Sequence, residues 1–311
     1  MLSRLFAIQI VPLLLLLCVG VTISCSGLLN LDGGKRSKLK EIKKWGYQLQ
    51  GYPAKDVFQK IREQQGMLWV IDYSHSGEES GRFTVEQLKQ LKQGGNMVVA
   101  YISIGEAEEV RYYYPQLPRN LIVESNAQFP DNHLVKFWQK EWQQIFISSS
   151  SSEERSYLDR IIDSGFDGIY LDIVDAFSYF PDKKKRAEQM KRFILKIADH
   201  CRQRNPDFIV IQQNATELIN LIAEQKSYLK AIDGLGIEDL FFGGSQRNNN
   251  AWNIDKDVLA EIKKYQRAEK AVFSVEYIAD RKKIIGYREL ALKHHMVPLV
   301  AERELSGELQ F

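Results

Sequence analysis

The sequence predicts an α/β protein folded as a single closed (β/α)8 barrel. Eight short apolar runs alternate with helical patterns over about 260 residues, a length that suits eight strand–helix units. The runs show no polar alternation, as expected of parallel strands buried on both faces. No GxGxxG follows the first run and no GxxxxGK[ST] occurs, so the doubly wound nucleotide-binding alternative loses support.

The bulk numbers allow one large domain. The chain has 311 residues, 44% hydrophobic and 26% charged. Its 42 basic and 40 acidic residues leave a net charge of +2, so no global field points to nucleic acid or to an acidic partner. The N-terminus stands apart from the fold. A positive start at 1–4 precedes an apolar run at 5–21, then small and polar residues lead to Cys25. This reads as an export signal. Val21-Thr22-Ile23-Ser24-Cys25 has the small residue before Cys of a bacterial lipobox but lacks its usual Leu three positions earlier. The expected organisation is a signal peptide at 1–24, a Gly-, Ser- and Lys-rich tether at 25–41, and the barrel at 42–311. Lipidation of Cys25 would make the protein a membrane-anchored lipoprotein. Plain secretion and an uncleaved anchor are the alternatives. Cys18 would leave with the signal and Cys201 sits in a helical pattern, so no internal disulfide is expected. No Cys/His cluster offers a zinc site, and no cofactor or metal is expected.

The elements follow in order. Residues 45–51 are a short, strand-like lead-in, and 56–65 have helical spacing. Residues 67–72 form the first strand, ending in Asp72 with Tyr73 next. Thr84 and Gln87 make a capping box for a helix that runs to Gly94-Gly95. The second strand, 97–104, leads into Gly105-Glu106. Residues 111–130 form a long aromatic loop, the kind that is usually functional in a compact domain. Residues 133–138 read as the third strand, followed by a helix start at 141–147 and a five-serine run at 148–152. A helix at 153–164 stops at Gly165, and Ile169-Tyr-Leu-Asp172 is the fourth strand. A long amphipathic helix at 183–204 ends before Asn205-Pro206. The fifth strand, 208–212, leads to Gln213-Asn214, and Thr216 caps a helix through 229. The sixth strand, 234–238, ends in Glu238. A Gly/Asn-rich loop at 243–250 precedes a helix capped by Asp255. The seventh strand ends at Glu276 with Tyr277 beside it, and the eighth, 296–301, ends at Glu302.

The candidate chemistry lies at these ends. Asp72, Glu106, Asp172, Glu238, Glu276 and Glu302 each close a strand in this reading. A barrel gathers such ends into one mouth, where catalysis sits. A ring of like charges needs shared protons, cations or a cationic substrate. Two carboxyl groups across a mouth suit glycoside hydrolysis, one protonating the leaving oxygen and the other acting as nucleophile or activating water. Asp172 alone could equally cap the helix that follows it. Tyr73 and Tyr277, beside strand ends, are the best aromatic platforms for a sugar; Trp69, Trp138, Trp142, Tyr170, Phe177, Phe241 and Phe242 are weaker ones. No G-x-S-x-G supports serine hydrolase chemistry.

Val70-Ile-Asp-Tyr-Ser74, Tyr101-Ile-Ser-Ile-Gly-Glu-Ala-Glu108, Gly165-Phe-Asp-Gly-Ile-Tyr-Leu-Asp172 and Gly236-Ile-Glu-Asp-Leu-Phe-Phe242 together resemble the endo-α-1,4-polygalactosaminidase family, glycoside hydrolase family 114. The resemblance spans about residues 42–305. It implies a TIM barrel and a retaining endo-hydrolase of α-1,4-linked galactosamine polymers, with Asp172 as nucleophile and Glu238 as acid/base. It places Asp72, Glu106 and Glu276 around the mouth. We further expect Tyr73, Asp175, Asn214 and Tyr277 to contact substrate, with Asp175 capping a helix or orienting Asp172. The expected partners are a polysaccharide and, through Cys25, a membrane; no nucleic acid is expected, and the chain should be a monomer. A non-catalytic polysaccharide-binding lipoprotein on the same barrel is the competing reading.

Overall fold

The structure is a computed structural model that describes residues 34–52, 57–147 and 155–306. The signal sequence, Cys25 and the five-serine run lie outside the described residues. Eight parallel strands form one sheet: β1 Trp45–Gln48, β2 Leu68–Asp72, β3 Met97–Ser103, β4 Gly168–Asp172, β5 Ile209–Gln213, β6 Gly234–Glu238, β7 Ala271–Glu276 and β8 Val297–Val300. They hydrogen-bond in that order. β1 and β8 close the ring through other contacts. Trp45 Nε1 donates to the Val297 carbonyl at 3.0 Å, and the Leu49 and Gln50 amides donate to the Leu305 carbonyl at 2.9 and 3.0 Å. The expected barrel is present.

One of its eight strands is not the one the sequence suggested. The lead-in Trp45–Gln48 is barrel strand β1. Residues 133–138 are not a barrel strand: Asn132–Val135 instead pairs antiparallel with both Glu106–Glu108 and Ile122–Ser125 in a small separate sheet on the mouth side of β3. A run of strand-forming residues does not specify its partner, and here the preceding loop folds back to supply two antiparallel neighbours.

Local signals behave as their chemistry requires. Thr84 and Gln87 form both bonds of a capping box at the helix Val85–Lys92. Gly165 ends the helix Tyr157–Ser164 at φ 95°, a conformation that costs glycine little. The helix Lys183–Arg204 buries Met190, Phe193, Ile194, Ile197 and Cys201 along one stripe. The helix expected after Thr216 is two short ones, Leu218–Leu221 and Gln225–Ala231, and the Thr216 hydroxyl donates to Glu261 instead of capping.

Two apolar layers result. One lies between sheet and helices. The other fills the barrel and is strongly aromatic, with Trp45, Tyr47, Tyr101, Tyr170, Phe273 and Tyr277. Rings of this size need a residue without a side chain opposite. Gly236 provides one, since a Cβ there would collide with the Tyr170 hydroxyl. Residues 35–41, read as tether, belong to the fold: a turn of helix at Lys35–Lys38 and a turn at Leu39–Glu41 run beneath the barrel, and Leu39 joins the interior layer, fully buried.

Candidate active site

Side chains alternate along a strand, so every second residue enters the barrel. On β4 the sequence Gly168, Tyr170, Asp172 points in; on β6 it is Gly234, Gly236, Glu238. Both acids therefore stand at the carboxyl ends of inward-facing rows and face the mouth together. Each is partly exposed. Neither forms an ion pair among the described residues.

Each carboxylate is held by neutral donors. Asp172 Oδ2 accepts the Tyr101 hydroxyl at 2.7 Å, and its Oδ1 accepts the Ile173 amide at 2.7 Å. Glu238 Oε1 accepts the Tyr277 hydroxyl, and Oε2 accepts the Gln213 amide and, at 3.3 Å, that of Asn214. Asn214 Oδ1 also accepts the Glu238 backbone amide at 3.0 Å, clamping the residue from both sides. Tyr47 completes the shell by donating to Gln213 Oε1 at 3.2 Å. Below the pair lies the Tyr170 hydroxyl, fully buried and without a hydrogen-bond partner.

Burial and like charge act on the pair in one direction. Desolvation, and then the charge of Glu238, push the Asp172 carboxyl up to about 8. Burial also raises Glu238, against the opposing pull of Tyr277, Arg303 and Gln213. Two carboxyl groups that resist joint ionisation hold a proton between them near neutrality, the charge state a glycosidase pair needs. Asp175, on the short 3-10 helix Val174–Tyr179, adds to the effect on Asp172 through its charge and makes no hydrogen bond to it.

The other acids are disposed of separately. Asp72 points into the mouth, but its carboxylate is taken: Arg111 donates from both Nη atoms at 2.8 Å, and the same buried guanidinium binds Glu108. Asp72 thus serves as an internal counter-ion to Arg111. Glu106 opens the small sheet three residues beyond the end of β3, accepts from Asn126 at 2.9 Å, and is raised chiefly by burial. Glu302 lies past the end of β8 and accepts from Ser306.

Two expected mouth residues face the other way. Inward positions on β7 are Phe273, Val275 and then Tyr277, so Glu276 points out into the helix layer. It is fully buried there and accepts the Phe241 amide at 2.7 Å. Tyr73 follows the inward-facing Asp72 and also turns outward. Its ring meets Tyr157 edge-on and its hydroxyl donates to Glu79 at 2.6 Å. Trp69, Trp142, Phe177, Phe241 and Phe242 are likewise core. Of the aromatic candidates, Tyr277 reaches the pair, as a hydrogen-bond donor.

Sequence reasoning missed Tyr47, Tyr101, Gln213, Arg111, Arg303 and Tyr179. The polar ones inside strands carried a signal, since a buried Gln in a parallel strand needs a partner. Tyr179 is 62% exposed on the rim, and its phenol is raised first by the charge of Asp175, then by burial and by Glu106 and Asp172. It is an exposed ring within electrostatic reach of these acids.

Comparison with known proteins identifies the family and the fold. The family model for glycoside hydrolase family GH114 matches residues 32–310. An uncharacterised protein of Thermotoga maritima is 31% identical over 299 residues, covering 91% of this chain and 86% of its own. Another, from Methanocaldococcus jannaschii, is 34% identical over 282 residues, covering 84% and 76%. Among solved structures, Aspergillus fumigatus Ega3 in complex with galactosamine superposes with a TM-score of 0.63 at 15% identity, over 86% of this chain and 94% of that one. The glycoside hydrolase domain of PelA from Pseudomonas aeruginosa gives 0.62 at 11% identity, over 86% and 97%. These two share the fold.

Proposed function

The chain belongs to glycoside hydrolase family GH114 and is a glycosidase; from that premise we propose that it cleaves α-1,4-linked galactosamine-containing polysaccharide internally, with retention, using Asp172 and Glu238. The observation that carries the proposal is the pair itself: two inward carboxyl groups at the ends of β4 and β6, each held by neutral donors and each raised by burial. The galactosamine complex of Ega3, a protein of the same fold, supports the choice of sugar.

Asp172 is assigned as nucleophile and Glu238 as acid/base. Attack by Asp172 on the anomeric carbon requires it ionised, yet burial raises it. A protonated amino group on the sugar reverses that balance, because a nearby cation favours the charged carboxylate. The substrate then brings its own counter-charge to an acidic mouth, and the proton moves to Glu238, where it can pass to the leaving oxygen. In the second step Glu238 takes a proton from water, which displaces the enzyme from the sugar.

Export and anchoring through Cys25 are part of the same proposal and rest on the apolar run and lipobox-like residues. The test is incubation with partially deacetylated α-1,4-galactosaminan and mass spectrometry of the products. Oligosaccharides of several lengths, released with unchanged anomeric configuration, are expected. Binding without product would overturn the reading in favour of a carbohydrate-binding role. On an activated aryl glycoside, E238Q should retain the first step, which needs no acid, whereas D172N should lose both; the reverse result would exchange the two roles.

A further inference from the structure

We propose that Arg303 is a positioning residue for the acid/base carboxyl: one guanidinium fixes both neighbours of Glu238, the Tyr277 ring that donates to it and the Asp239 backbone that follows it. This rests on the assignment of Glu238 made above.

Arg303 follows β8 on the mouth side, and its side chain is largely enclosed. Every group it has is used. Its two Nη atoms donate to the Asp239 carboxylate at 2.8 and 2.9 Å, the bidentate geometry that suits a planar fork. Its Nε donates to the Arg247 carbonyl at 2.9 Å. Its flat face covers the Tyr277 ring, with the guanidinium carbon 3.8 Å from the centroid. The Tyr277 hydroxyl in turn binds Glu238 Oε1.

Asp239 needs such a clamp. It is a non-glycine residue at φ 53°, in the left-handed region, directly after Glu238. A surrounding structure must hold that conformation, and the fork does so from the side chain. Tyr277 gains from it too: the barrel's aromatic layer encloses its ring, and the stacked guanidinium covers the ring face beside the mouth. Both restraints converge on the direction in which Glu238 points. The positive charge of Arg303 also favours the ionised form of Glu238, so the residue sets both position and proton affinity.

Two substitutions separate these effects in the full-length protein, assayed on partially deacetylated α-1,4-galactosaminan. R303K keeps the charge but loses the fork and the stacking plane; R303Q loses all three. For both, kcat should fall about 10- to 100-fold with little change in KM, the scale expected for a misplaced catalytic group. In R303Q the upper limb of the pH–rate profile should move to higher pH, because Glu238 then holds its proton longer. In R303K it should stay. In a cycle with Y277F, the double variant Y277F/R303Q should lose less than the product of the two single losses, as expected if Arg303 acts in part through Tyr277.

Wild-type kcat and pH limb in R303Q would overturn the inference. So would a loss that merely tracks the folded fraction with an unmoved limb, or multiplicative losses in the cycle. If R303Q does not fold, R303K decides by its kcat alone. E238Q, measured alongside, separates the two claims. Full polymer cleavage by E238Q removes the assignment of Glu238 itself. An inactive E238Q beside a wild-type R303Q and R303K removes only the role of Arg303.

Discussion

At the floor of the barrel, Asp233 is buried between two arginines: Arg36 Nε lies 2.9 Å and Arg202 Nη2 2.8 Å from its oxygens, and the Val210 amide donates at 2.9 Å. Asp167, also at the floor, receives Lys35 at 2.5 Å, Lys92 at 3.2 Å and the Val98 amide at 2.9 Å. At the mouth, Asp172 and Glu238 are enclosed as well but receive hydroxyl and amide donors with no ion pair. The residue types are the same and the partners differ. Charge neutralised by cations is fixed as structure. Charge held only by neutral dipoles stays able to take up and release a proton, at a cost in stability. Asp72, at the mouth but tied to Arg111, follows the floor pattern. Position in the barrel therefore does not identify a catalytic acid; its partners do.

The sharpest way to break this contrast is to neutralise one acid at each end. D172N should abolish polymer cleavage, since it removes the nucleophile on which both steps depend. It should also raise stability at neutral pH. The Asp172 carboxyl is raised from 3.8 to about 8 on folding, so between those values the folded protein holds a proton that the unfolded chain has released. Wild-type stability then falls as pH rises through that window, and the Asn variant escapes the fall. Calorimetry at pH 5 and pH 8 should show an advantage in melting temperature for D172N that is larger at the upper pH. A variant less stable than wild type at pH 8 would place Asp172 with the floor acids.

At the floor the signs reverse. D233N leaves Arg36 and Arg202 without a counter-charge and should cost about 2 kcal/mol, typical for losing hydrogen bonds to charged groups. Urea unfolding measures that loss. Specific activity per folded molecule should stay at the wild-type level, and a fall there would mean that the floor communicates with the mouth.

Much of this was legible in the sequence, for reasons particular residues make plain. Ile169-Tyr-Leu-Asp172 and Gly234-Leu-Gly-Ile-Glu238 reveal both the strand and the acid at its end, and inward alternation from Gly168 and Gly234 does the rest. β1 was faint because Trp45-Gly-Tyr-Gln48 has four residues and a glycine and glutamine among them; its identity comes from pairing with β2, which no local pattern encodes. Residues 133–138 misled for the converse reason, a local pattern whose partner is antiparallel. Glu276 and Tyr73 were placed on the wrong face because a parallel strand is apolar on both faces, and its parity cannot be read from hydrophobicity. Arg111 and Arg303 were invisible because each lies in a loop far along the chain from the strand-end acid it reaches, Asp72 for Arg111 and Asp239, beside Glu238, for Arg303.

The smallest expected effect tests that question of parity directly. Glu276 is a third kind of case: fully buried, facing outward, with one oxygen accepting the Phe241 amide and the other unpartnered among the described residues. Burial raises it from 4.5 to about 8, so, as for Asp172, folding retains a proton over that range and stability declines with rising pH. E276Q keeps the acceptor toward Phe241 and sets an amide where the protonated oxygen stands. Its melting temperature should exceed that of the wild type by a margin that widens as pH rises from 5 to 8. Its kcat should be unchanged, since the carboxyl faces the helix layer and Tyr277, one residue on, faces the mouth. Thermal shift and initial rates on one preparation decide the matter. A collapse in kcat without a change in pH-dependent stability would mean that Glu276 works with Asp172 and Glu238 after all, and the distinction between acids that face the mouth and acids that merely lie near it would fail.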